Sequence, residues 1–176
     1  MKTINQYIQE KLIIKKSKSN YNYFPKTKEE FLDLLRQLIK ERGNEGDFND
    51  IDTSEITDMA NLFISNREFN GDISKWDVSN VRTMKGMFSE CKFFNRPLND
   101  WDVSSVENME SMFSFCKSFN QPLDKWNVSN VDNMRYMFNN CTSFNQDISK
   151  WNTSKASPMW TFTKCPIEEK YKPKFN

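Results

Sequence analysis

The sequence predicts an α/β solenoid, with a short parallel strand and a short helix in each coil and a helical cap at the N-terminal end. Three observations lead there. First, one 25-residue unit recurs without insertion or deletion from Trp76 to Lys150, so that Trp76, Trp101, Trp126 and Trp151 stand one period apart. A fixed period of this size marks units that stack to bury a shared core. Second, the apolar spacing changes inside the unit. Trp76 and Val78 alternate with Lys75, Asp77 and Ser79, which suits a short strand. Val81, Met84, Met87, Phe88 and Cys91 then follow at i, i+3, i+6, i+7 and i+10, a helical spacing. Third, a strongly amphipathic stretch before the repeats has no partner in sequence except their open end.

Taken in order, Thr3 to Gln6 fits a capping box, and Ile4, Ile8 and Leu12 share one helix face. Lys15 to Asn20 reads as a solvated linker, and Pro25 disfavours helix just before it. Thr27 to Glu30 is a second capping box, followed by Phe31, Leu34, Leu35, Leu38 and Ile39 on one face and by Gly43 as a stop. This predicts a helix over about 28–42, placed to cover the first coil. Counting back from Trp76, Ile51 begins a diverged first repeat in which Ile56, Met59, Leu62 and Phe63 hold register. Counting forward, Trp151 begins a fifth, with Met159 on the Met84 column and Pro158, Pro166 and Pro173 ending the pattern. The expected organisation is a cap segment over 1–46, a solenoid of about five coils over 47–165 and a tail over 166–176.

The mean hydropathy of −0.80 is low for a filled core, but all the Met except Met1 and four of the five Trp fall on repeat positions, which favours a folded protein. Residues 1–42 carry ten Lys and Arg against five Asp and Glu, while 43–164 carry twelve against seventeen. A basic head on an acidic body favours attraction between the two. The longest apolar run near the start, Leu12 to Ile14, is too short for a secretory signal, and no run suits a membrane span. A cytoplasmic setting is the expectation.

The wording F-N-x-[DP]-[IL]-x-x-W-[DN]-V-S-[NS]-V-x-x-M-x-x-M-F, over about 48–164, resembles the BspA-like leucine-rich repeat family in its Trp/Met/Phe-rich form. The resemblance implies a leucine-rich-repeat-like solenoid and a role in adhesion and protein contacts. Its short, signal-less form resembles versions found in bacteriophage genomes, which would suit an inhibitor that binds and blocks a host enzyme or defence protein.

Chemistry is sparse. Histidine is absent, which removes the commonest general base and zinc ligand. Cys91, Cys116 and Cys141 fall once per coil with no C-x-x-C spacing, so they read as a core column of reduced thiols, with Cys165 the accessible one. No catalytic residue, metal or cofactor is expected. Asp52, Asp77 and Asp102 stack on the strand side, where they could attract a cation, a basic peptide or an Arg. On the helical side, Phe93, Phe115 and Tyr136 occupy outward positions four and seven apart, forming a diagonal aromatic line. The expectation is a non-enzymatic protein-interaction module using one of these two faces. The partner is a protein of unspecified identity, with a second copy of the chain a candidate. The basic, aromatic stretch Lys15 to Lys28 is the feature closest to a nucleic-acid site. Because the body is acidic and would repel phosphate, nucleic acid is not the favoured ligand, and carbohydrate is a further, less favoured alternative.

Overall fold

The computed structural model describes residues 21–175. The first capping box and the Lys15 to Asn20 linker lie outside the described residues. Helix α1 spans Lys28–Arg42, the stretch marked by the apolar spacing. The Thr27 hydroxyl accepts from the Glu30 N–H, the Lys26 N–H donates to the Glu30 carboxylate, and the Gly43 N–H closes the other end on the Ile39 carbonyl. Phe31, Leu34, Leu35 and Leu38 are buried in the cluster that also holds Ile51, and the Phe31 ring lies 5.1 Å from Trp76. Polar ties run alongside: Lys26 to Glu55, Lys28 to Asp58, and Arg42 to Asp50 at 2.7 Å.

Beyond α1 the α/β expectation is overturned. Among the described residues the other helical element is a single 3-10 turn, Glu169–Tyr171, and no strand forms. Consecutive repeats meet instead through isolated parallel bridges, Asp58 to Thr83 to Asn108 to Asn133 to Ser157. The stretches read as strand and helix are together a run of tight turns closed by i to i+3 bonds, most of them between apolar residues. The Trp76 N–H reaches the Ile73 carbonyl, Val81 reaches Val78, Met87 reaches Met84, and Cys91 reaches Phe88.

The distance between repeats explains why. Equivalent rings, Phe63 to Phe88, Phe88 to Phe113 and Phe113 to Phe138, stack at 5.6 Å. Helix axes approach no closer than about 8–10 Å. A helix in every coil would force the rings apart. The turn-built coil fits because its backbone bonds vertically as well as locally. The N–H groups of Met84, Gly86, Phe88 and Glu90 donate to the Asn108, Glu110, Met112 and Ser114 carbonyls of the next repeat. Those of Met87, Ser89 and Cys91 close local turns, and that of Lys85 donates to the Thr83 hydroxyl, so every donor from 84 to 91 has an acceptor. The geometry requires positive φ at two positions per repeat, for example Asn61 and Ser65, Gly86 and Glu90, Ser111 and Phe115, or Tyr136 and Asn140.

The core is a set of columns. A second phenyl column, Phe69, Phe94, Phe119 and Phe144, stacks beside the first at 5.9–6.0 Å. Each of the four buried Trp indole N–H groups donates to a carbonyl one repeat back: Trp76 to Phe48, Trp101 to Ile73, Trp126 to Leu98 and Trp151 to Leu123. The buried thiols do likewise, Cys91 to Phe63, Cys116 to Phe88 and Cys141 to Phe113 at 3.1, 2.9 and 2.7 Å. Burial pushes all three thiols up from their ordinary pKa.

The fifth repeat is one residue short. Asn133 pairs with Ser157, and the Phe138 N–H reaches the Thr161 carbonyl. Met159 therefore leaves the core column assigned to it by the period and is 42% exposed. The same slip puts Thr161 in the interior, where its hydroxyl donates to the Met134 and Pro158 carbonyls. Residues 167–175 close the far end, with Tyr171 accepting from the Ile148 N–H and Phe175 bridging Thr153.

Candidate interaction groove

With the core columns closed, large apolar side chains reach solvent on the turn face. Phe93 is 45% exposed and Phe115 43%. They line one open groove of about 560 Å³, together with Arg67, Lys92 and Lys117. Glu68 and Glu90 line it as well. Three successive rungs build it, near residues 65–68, 90–93 and 115–118. Backbone bonds hold them in register: the Phe93 N–H donates to the Arg67 carbonyl, and the Ser118 N–H to the Lys92 carbonyl. Phe115 stands at φ 61, with its N–H on the Asn139 carbonyl. The Lys92 ammonium lies 5.1 Å from the centre of the Phe93 ring, a cation–π contact.

The aromatic line expected from the sequence is thus divided. Phe93 and Phe115 share the groove, on turns and not on helices. Tyr136 is half-buried at φ 59 and stacks on Trp160 at 5.0 Å and 22°. Trp160 is 53% exposed, and the Arg135 guanidinium lies 3.1 Å from the Met159 sulfur beside it. Repeat counting missed Trp160 because the short fifth repeat takes it off the period. The basic residues of the groove were equally overlooked, although Arg67, Lys92 and Lys117 stand 25 apart.

Asp52, Asp77 and Asp102 line no part of this groove. Each carboxylate accepts from the backbone N–H two residues on, that of Ser54, Ser79 and Ser104 respectively, at 3.0 Å. The Ser54 and Ser79 hydroxyls add bonds of 2.6 Å. Hydrogen bonds from the Ser104 hydroxyl and N–H hold the Asp102 carboxyl below its ordinary pKa. Asn127 makes the same turn with Ser129. These side chains shape the turn before Val81 and its equivalents. Among the described residues no group of three or more His, Cys, Asp or Glu is placed to hold a metal ion, and no helix is long and apolar enough to cross a membrane. Cys165, partly exposed, is set apart from the three buried thiols.

Columns of this kind, carrying a groove of aromatic and charged side chains on their turns, define a repeat protein. The family described as "Mycoplasma protein of unknown function, DUF285" matches residues 33–151 and again 99–165, and the chain belongs to it. In general terms this is a BspA-like repeat family. Comparison with the curated proteins and with the solved structures returned no match.

Proposed function

We propose that the protein is a non-enzymatic protein-interaction module that binds its partner through the Phe93–Phe115 groove. One observation carries the reading: the repeats bury their Trp, Met, Phe and Cys columns, yet two large rings are left nearly half exposed at a single groove. Clustered exposed aromatics of this kind mark contact surfaces and act as anchors within them. The recurring carboxylates are engaged in local turns, which supports binding over acid–base chemistry. A cytoplasmic setting, and the finer sequence relationship to short BspA-like leucine-rich repeats resembling phage-encoded forms, belong to the same proposal. The four free thiols support the first, and the repeat wording supports the second.

The test is site-specific photo-crosslinking in the native cell. A benzophenone amino acid at Phe115 should give discrete protein adducts that are absent when the same probe stands at the exposed Asp33 of α1. Identical patterns from both sites would rule the groove out as the contact surface.

A further inference from the structure

Several charges one repeat apart are paired by sign. Arg82 meets Glu107 at 3.2 Å, Lys85 meets Glu110 at 3.1 Å, and Lys125 meets Asp100 at 2.7 Å. The like-charged column Asp52, Asp77 and Asp102 is held by hydrogen bonds in its own turns, whereas a basic column on the turn face is not. Arg67, Lys92 and Lys117 hold the same position on three consecutive rungs, all exposed, and none is among the ion pairs of the described residues. Lys92 lies over the Phe93 ring instead. Like charges facing each other on neighbouring rungs disfavour the fold. The column ends at the next rung, where Thr142 takes the position and its hydroxyl donates to the Lys117 carbonyl. A line of three unmatched cations therefore runs along the groove that also holds the two exposed rings.

The geometry points to a partner of definite chemistry: an extended acidic protein segment, with carboxylates along Arg67, Lys92 and Lys117 and apolar side chains covering Phe93 and Phe115. This rests on the protein-binding reading above. With rungs at the 5.6 Å of the phenyl column, the outer cations stand about 11 Å apart, the length of three or four residues of extended chain at about 3.3 Å each. Glu68 and Glu90 decide against a single-stranded nucleic acid, the other ligand for a basic groove with exposed rings. A polyanion with a charge on every unit meets both carboxylates, whereas a peptide can set neutral atoms against them.

The test uses the full chain and three labelled probes in fluorescence anisotropy: a heptapeptide alternating Glu with Leu and Phe, its Gln counterpart, and a short oligothymidylate. The Glu peptide should bind in low salt and be released by high salt. The Gln peptide should bind roughly tenfold more weakly or worse, as should the Glu peptide to a Lys92→Gln, Lys117→Gln double variant. Lys40→Gln, on α1, should leave binding unchanged. An oligothymidylate that binds as tightly as the Glu peptide would overturn the proposal in favour of nucleic acid. Absence of peptide binding, or binding indifferent to the double variant, would overturn it as well. If the peptide fails while the probe at Phe115 still captures a protein, the acidic chemistry is wrong and the protein-binding reading stands. If both fail, both readings fall.

Discussion

Replacing Gly86 with Ala separates a coil built of turns from a coil containing a helix, because the two give opposite signs. In an exposed helix Gly is the poorer residue, and the change to Ala would stabilise by up to about 1 kcal/mol. Here Gly86 has φ 60, where a Cβ costs roughly 1–2 kcal/mol. The added methyl would also run into the Asn61 side-chain oxygen of the preceding rung, which must turn aside. The restriction Ala places on the unfolded chain returns about 0.4–1 kcal/mol. The expected result is a net loss near 1 kcal/mol, some 2 kcal/mol from the helical expectation. Ser111, the equivalent residue one rung on, has φ 57 and gives the reverse experiment. Ser111→Gly should be neutral or stabilising, where a helix would lose about 0.5 kcal/mol. Urea unfolding followed by fluorescence of the buried Trp column measures both, and 1 kcal/mol shifts the midpoint by about 0.3–1 M. A more stable Gly86→Ala protein, or a less stable Ser111→Gly protein, would refute the turn geometry.

Other consequences are as direct. Leu38, on the inner face of α1, is fully buried, so Leu38→Ala should cost about 2–5 kcal/mol by urea unfolding; unchanged stability would mean the helix does not cover the core. Phe113 is fully buried and stacks on Phe88, Phe119 and Phe138, so Phe113→Ala belongs at the upper end of the roughly 3–5 kcal/mol range. A smaller loss than that of Phe162→Ala, at the half-buried end of the column, would contradict a stacked core. With maleimide, mass spectrometry should find one adduct on the native chain, at Cys165, and four after unfolding; early modification of Cys116 would contradict its burial.

What the sequence disclosed was position more than conformation. The period placed Trp76, Val78, Met84, Phe88 and Cys91 and their equivalents in the interior, and these are buried except Met159, which the short fifth repeat takes out of the core. The capping box and the Phe31 to Leu38 face marked α1 for the same reason: a cap and an apolar stripe are local properties. A spacing of three, by contrast, is shared by a helix and by a succession of turns. What separates them is the sign of φ at Ser65, Glu90 and Phe115, residues that carry no glycine signal. Gly86, Asn61 and Asn140 were the available hints, since Gly and Asn tolerate the left-handed region. The groove was half legible. Phe93 and Phe115 stood out as departures from the repeat, but that Arg67, Lys92 and Lys117 form no ion pair among the described residues depends on side-chain placement, which periodicity does not encode.

Phe115 brings conformation and recognition together, and Phe115→Asn tests whether they can be taken apart. The equivalent positions carry Ser65 at φ 61, Glu90 at φ 66 and Asn140 at φ 57, so the backbone keeps one shape whatever residue occupies it. Asn accepts this region more readily than a bulky aromatic, and 43% of Phe115 already faces water. The frame therefore gains nothing essential from a phenyl ring there. Asn should leave the urea midpoint unchanged or raise it by the equivalent of up to about 1 kcal/mol. Binding of the acidic peptide should fall, because a central aromatic anchor contributes about 2 kcal/mol or more to an interface. A Phe115→Asn protein that unfolds markedly more easily would show that the ring belongs to the core. One that is fully stable and binds the peptide with native affinity would remove Phe115 from the contact surface.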